Sequence, residues 1–401
     1  MLPVELLLQI FEQLHDDRPT LLSLLLVSHH FSQLSESILY ADVTLKPARL
    51  SSYSGSGRTV LACFAESLSG PPSSGSLRPH RTRRRSAVKR LFIDGSDIPS
   101  IPHAEYAQLD LILTKLPHLQ SFHFTHLGSA VRWSPFATPR ITVAPPFQLT
   151  RLIFNGAMHP SHASKMVHGF LASQTRLEHL EIGSLIEEAL GSTDSDGDGA
   201  VAAVHPMLVA SSSLRILETS ALDFFLGAGK TPNLTHLKLS SSAALRLDTR
   251  TPIDSPPPGP LTNLRVLSTS RTPHLSSTAS AGSPSAMATT PLPNLEYWEL
   301  RSEWVDLGAF LQDPCVHRFL VSLPRLRGIR FSADVAVHSG EGVAQTFESV
   351  LGLEFIEVRV RRKGGAFERY YRGEEKPRLV QRRCEEEIEW CQTWEHDASA
   401  S

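Results

Sequence analysis

One pattern recurs along this chain between residues 88 and 358. Written loosely as L-x-x-L-x-L, it reads VKRLFI (88–93), LQSFHF (119–124), LTRLIF (149–154), LEHLEI (177–182) and LRILET (214–219). It continues as LTHLKL (234–239), LRVLST (264–269), LEYWEL (295–300), LRGIRF (326–331) and LEFIEV (353–358). Most copies lie close to 30 residues apart, with one longer and one shorter interval, and a period of this size is the mark of a stacked repeat. Within each copy the apolar residues fall two apart, as in a strand with one buried face. A single such unit cannot cover its own apolar face, so neighbours must stack to do it. That requirement constrains the fold more than any other feature of the sequence.

Helical patterns fill several of the intervals. AEYAQLDLILTKL places Tyr106, Leu109, Leu113 and Leu116 on one face. HASKMVHGFLAS does the same with Met166, Val167, Phe170 and Leu171. In DPCVHRFLVSL, Asp313 suits an N-cap and Pro314 the first helical position, where a missing N–H costs nothing. Strand plus helix, repeated over residues 88–360, resembles a leucine-rich-repeat solenoid of the long-repeat kind. The resemblance implies an α/β fold with a parallel sheet. The asparagine usual after the last Leu is mostly absent, and Thr219 and Thr269 sit at inward positions, so an irregular solenoid is expected. The stretches 51–86, GSTDSDGDGA, TRTPIDSPPPGP and SRTPHLSSTASAGSPSAMATTP are rich in Ser, Pro and Gly. They bury too little to offset chain entropy and are expected as disordered inserts in the connections.

The N-terminus poses a different problem. MLPVELLLQIFEQLHDDRPTLLSLLLVSHHFSQLSESILYADVTL carries no basic n-region and no small-residue cleavage site, and its apolar run is too short to cross a bilayer. On a helix, Glu5, Gln9, Glu12, Gln13 and Asp16 form one polar stripe, and Val4, Leu6, Leu7, Leu8, Ile10, Phe11 and Leu14 cover most of the rest. A second helix from about Pro19 and a third with Phe31, Leu34, Ile38 and Leu39 add more apolar surface than three short helices can hide among themselves. Either the rest of the chain or a partner must cover it. The segment resembles an F-box of the kind found in fungal F-box proteins, on Leu2, Pro3, Glu5, Leu6, Ile10, Leu14, Val27, Ser28 and the aromatic Phe31. Met1 directly precedes the motif, where that family usually carries further residues. The resemblance implies that these nine residues bind the Skp-type adaptor of an SCF-type cullin–RING ubiquitin ligase.

Composition removes other classes. A net charge of −2 is a poor basis for nucleic-acid binding, which rests on clustered cations. Cys63, Cys315, Cys384 and Cys391 form no CxxC pair, so neither a zinc site nor a disulfide framework is indicated, and an intracellular, cytoplasmic or nuclear setting is expected. GAGKTP imitates a phosphate-binding loop, but Phe224 stands where the first glycine belongs and Pro232 follows the Thr at once. DSDGDG imitates a calcium loop with Asp194, Asp196, Asp198 and Gly199, but its twelfth position is His205 rather than a bidentate Glu. RPHRTRRRSAVKR (78–90) reads equally as a solvated basic loop or a nuclear import signal. No nucleophile, base and orienting group stand at a spacing that supports catalysis, and no cofactor, metal or membrane partner is expected.

These readings give four segments: an F-box-like helical domain at 1–48, a flexible linker at 49–87, the repeat solenoid at 88–360, and a charged C-terminal cap or tail at 361–401. The expected function is that of a non-catalytic substrate receptor, with the solenoid holding an unknown protein substrate. The alternative is a repeat scaffold whose N-terminal helices only cap the solenoid. Residues between the inward leucines point to the opposite sheet face. There Tyr297, Glu299, Arg301, Arg330, Phe355, Glu357 and Arg359 combine aromatic and charged groups and are expected to form the substrate surface.

Overall fold

The inward positions of the repeat become the core of a mixed α/β protein. In the computed structural model, the first residues of the copies, Val88, Leu119, Leu149, Leu177, Leu214, Leu234, Leu264, Leu295, Leu326 and Leu353, are all buried. So are the second and third inward residues, among them Leu152, Phe154, Trp298, Phe331 and Val358. The structure describes residues 3–47, 59–69, 78–96, 103–126, 141, 145–156, 166–182, 213–219, 233–239, 246–247, 261–269, 274–275, 292–301, 305–336, 341–359, 367–374 and 377–380. They fall in two compact units, Met1–Ala203 with Val209–Leu214, and Val204–Leu208 with Arg215–Ser401. Among the described residues no helix is long and apolar enough to cross a membrane.

The first unit opens with three helices, α1 (Val4–Gln13), α2 (Arg18–Leu24) and α3 (His29–Leu39), and runs directly into β1 (Asp42–Leu45). Then come α4 (Val60–Ser69), α5 (Arg78–Ala87), β2 (Arg90–Asp94), α6 (His103–Leu113), β3 (Ser121–His126), β4 (Arg151–Gly156) and β5 (His179–Ile182). The five strands pair in chain order, all parallel. Leu109, Ile112 and Leu113 of α6 are buried as well, as are Phe170 and Leu171 of a π-helical turn at Met166–Leu171.

Two helices lie inside the stretch read from sequence as linker. The linker reading does not hold for α4 and α5, because Leu61, Phe64, Ala65 and Leu68 recur at helical spacing and are buried. The basic run 78–90 is likewise not a loop but α5, leading into β2. The aspartate-rich DSDGDG stretch, GAGKTP and the Ser/Pro-rich segments around 251–260 and 276–290 lie outside the described residues.

In the second unit, β6 (Ile216–Thr219), β7 (His236–Leu239), β9 (Val266–Thr269), β11 (Tyr297–Leu300), β13 (Gly328–Ala336) and β14 (Phe355–Arg359) pair in parallel in that order. Two-residue strands β8 (Arg246–Leu247) and β10 (His274–Leu275) pair with each other, and β12 (Val305–Asp306) pairs with the end of β13. Helices α7 (Leu307–Gln312), α8 (Pro314–Val321) and α9 (Glu341–Ser349) accompany the last repeats. Asp313 caps α8 by accepting from the backbone N–H groups of Cys315 and Val316, at 2.7 and 3.3 Å, with Pro314 in the first turn as the sequence indicates. Trp298 packs edge-on to Phe319 at 5.2 Å, and Phe310 edge-on to Phe331 at 5.5 Å.

The inward threonines of the irregular copies are buried and used: the Thr269 hydroxyl accepts from the indole N–H of Trp298 at 3.1 Å. Several of the repeat strands also start the same way. The N–H groups of Gln120 and Ser121 both donate to the Lys89 carbonyl, and those of Thr150 and Arg151 to the Gln120 carbonyl. In the second unit, Glu296 and Tyr297 donate to Arg265, Arg327 and Gly328 to Glu296, and Glu354 and Phe355 to Arg327. After β14 the direction changes: β15 (Phe367–Tyr371) and β16 (Arg378–Val380) add antiparallel strands in the charged segment after residue 360.

Candidate adaptor interface and the second sheet face

Each N-terminal helix is set by a local start signal. Pro3 stands at the N-cap of α1, and its carbonyl accepts from Leu7 at 3.2 Å. The Asp17 carboxylate caps α2, accepting from the Thr20 N–H at 3.1 Å and the Thr20 hydroxyl at 2.6 Å, and the hydroxyl bond above all holds this carboxyl below the ordinary aspartate range. Ser28 caps α3 through an acceptor bond from the Phe31 N–H at 3.1 Å.

The helical period then divides the apolar residues between two directions. Leu7, Phe11 and Leu14 pack with Leu21, Leu24, Phe31, Leu34, Ile38 and Leu39 into a small core, where Phe11 meets Phe31 edge-on at 5.4 Å. Leu6 and Ile10, four residues apart on α1, face outward and are 45% and 49% exposed. Leu22, Leu26 and Val27 are exposed by 55%, 89% and 63%. Of the residues named from the sequence, Pro3, Glu5, Leu6, Ile10, Val27 and Ser28 are therefore exposed. Leu14 and Phe31 are half-buried in the helical core and act by holding the helices together. Leu2 lies outside the described residues. Leu22 and Leu26 were not singled out from sequence, because a run of leucines does not say which of its members the core takes.

The residues expected to form a substrate surface do share one sheet face, as the strand period requires. The register aligns Tyr297 with Gly328 and Phe355, and Glu299 with Arg330 and Glu357. An open surface, however, is not what this face presents. Tyr297, Glu299, Arg330 and Phe355 are buried, Glu357 is 0% exposed, and only Arg301 and Arg359 are half-exposed. Both carboxylate oxygens of Glu357 are engaged, one by Arg330 Nε at 2.9 Å and the other by Arg369 Nη2 at 2.6 Å. Glu299 accepts from Ser268 at 2.7 Å and from Ser332. Lys238 and Glu218 pair at 2.7 Å. Arg301 donates to the Leu239 carbonyl at 2.9 Å, and Arg359 to that of Ser332 at 3.4 Å. Tyr297 and Phe355 belong to an apolar cluster with Val266, flanked by Ile216 and Tyr371. The charges of this face thus pair across strands.

Cys63 and Cys315 are free thiols, and among the described residues no group of three or more His, Cys, Asp or Glu stands close enough together to hold a metal ion.

The comparisons with known proteins agree with the geometry at one end of the chain. No curated protein matches the sequence. Residues 1–46, which span α1, α2, α3 and β1, match the family model described as F-box-like. F-box domains in general bind Skp-type adaptors, and the proteins that carry them are in general non-catalytic substrate receptors. The N-terminus of this chain is an F-box-like domain.

Proposed function

We propose that this chain is the substrate-recognition subunit of an SCF-type cullin–RING ubiquitin ligase, without catalytic activity of its own and acting inside the cell. The F-box-like helices would dock on a Skp-type adaptor, and the strand region would hold a protein substrate. The observation that carries this reading is the set Leu6, Ile10, Leu22, Leu26 and Val27, five large apolar side chains left exposed on a segment that matches the F-box-like family. The repeat region is taken as an irregular leucine-rich-repeat-like solenoid, on the strength of parallel strands that pair in chain order at close to 30-residue intervals. On its second face, Arg301 and Arg359 keep the exposure that substrate contact needs, and Tyr297, Glu299, Arg330, Phe355 and Glu357 form the buried frame beneath them.

The test is co-expression of the whole chain with a Skp-type adaptor. The wild-type protein should co-purify with it, and an Ile10→Asp/Leu26→Asp variant should not, since a charge placed in an apolar interface is left unpaired. Co-purification of the double variant would remove the assignment. A scaffold whose helices only cap the strands is the second reading, favoured by the pairing of β1 with β2 immediately after α3. It would be preferred if the wild-type chain fails to capture the adaptor.

A further inference from the structure

The F-box-like match ends at residue 46, yet the structure does not part there. Glu36, on α3, is 5% exposed. Its carboxylate accepts from both Nε and Nη2 of Arg84 on α5, 48 residues further on, at 3.0 and 2.7 Å. The Arg84 guanidinium also lies over the Tyr40 ring at 5.4 Å, so one cation grips two points at the end of α3. Tyr40 in turn stacks on Phe64 of α4, with centroids 6.5 Å apart and planes 18° from parallel. Arg85, next along α5, donates to the Leu68 carbonyl of α4 at 2.8 Å. Lys115, just past α6, reaches the Ser69 hydroxyl at the end of α4. Finally, the N–H groups of Lys89 and Arg90 both donate to the Ala41 carbonyl, at 3.0 and 2.9 Å. The helices that follow the matched segment therefore stand as a wedge between α3 and α6.

We infer that α4 and α5 fix the direction in which the adaptor-binding helices face relative to the first strands, and that Glu36 and Arg84 are the positioning pair of this wedge. The inference rests on the adaptor reading for its purpose but not for its geometry. Two N–H groups of one guanidinium held on a single oxygen of a nearly buried carboxylate leave few arrangements, whereas a single exposed linker would allow many. Removing the Arg84 cation weakens what holds this nearly buried carboxylate and loosens α3 against α5. In a receptor, such a wedge sets where a held substrate points once the helices are docked.

The experiment uses the full chain with its four cysteines changed to serine and spin labels at Gln9→Cys on α1 and Gln120→Cys at the start of β3. Both label sites are exposed. The unaltered pair should give one narrow distance distribution. Arg84→Met should widen it at least two-fold, and the reversed pair Glu36→Arg/Arg84→Glu should narrow it again, which a merely destabilising change would not do. If Arg84→Met melts early, Glu36→Gln, which keeps shape and one acceptor, is read in its place. A distribution as narrow in Arg84→Met and Glu36→Gln as in the parent, or one that stays wide in a folded reversed pair, overturns the inference. Adaptor co-purification is measured on the same samples and should be unchanged in all. Its loss in every sample, parent included, would sink the adaptor reading and leave the positioning result standing.

Discussion

The first forty residues and the last parallel strands treat awkward side chains in opposite ways. Helices α1–α3 keep a core of a few residues around Phe11, Leu21 and Leu34 and leave large leucines in solvent. Strands β13–β15 bury a carboxylate and two guanidinium groups and match each to the others. Exposed apolar surface is a debt that another molecule can settle, while a buried charge must be answered from within. Apolar surface is left open at the helices and charge is closed in at the strands, although residue type alone would have assigned charged Glu357 to the surface and Leu26 to the core.

Four variants would break or sharpen this contrast. The largest effect is expected from Glu357→Ala, which leaves Arg330 and Arg369 buried without their shared carboxylate. It should cost about 3–5 kcal/mol, read as a fall in the urea midpoint. Next is a pH effect at His236, a buried imidazole on the same face, whose pKa is brought down from 6.5 to about 4 by burial and then by the nearby Arg265 charge. Between those two values the unfolded chain holds a proton that the folded protein does not. Stability should therefore be flat above the upper value and decline by about 3 kcal/mol as the pH falls across the window. His236→Gln should remove that slope from the urea midpoint measured against pH. Gly328→Ala is smaller. A methyl there would lie 2.5 Å from the Phe355 ring, so the ring must move, at about 1–3 kcal/mol, measurable as a lower melting temperature. The smallest effect on stability belongs to the Ile10→Asp/Leu26→Asp variant, whose altered side chains are already exposed. Its urea midpoint should change by no more than about 0.5 kcal/mol while its adaptor binding disappears. A large loss of stability there would mean that the helices, like the strands, spend these residues on their own fold.

Much of the strand region was legible because its period is strict where it matters. Leu119, Leu149, Leu234 and Leu326 could be placed inward from spacing alone, and so could the direction of the residues between them. Spacing says which way a side chain points but not what stands beside it. Glu357 meets Arg330 from 27 residues earlier and Arg369 from 12 residues later, and no local pattern joins the three. The same limit hid the Glu36–Arg84 pair. Helix α4 was missed for a different reason: the Ser- and Gly-rich composition on both sides outweighed a helical period only ten residues long. At the N-terminus, the resemblance assigns Leu6, Ile10 and Leu14 alike to the adaptor; Leu6 and Ile10 are exposed, whereas Leu14 turns into the core because it falls on the row of Leu7 and Phe11.

The reversal of strand direction after β14 has a consequence for how this protein behaves in a crowded solution. A stack of parallel strands ends in a bare edge, and a bare edge is a template on which the next molecule can continue the stack. Here β15 and β16 run the other way, so an incoming repeat that needs a parallel neighbour does not find one. Among the described residues the last strand is three residues long and begins with Arg378, which is exposed and paired with Glu374. A short, charged, antiparallel strand of this kind is a poor seed for intermolecular sheet growth.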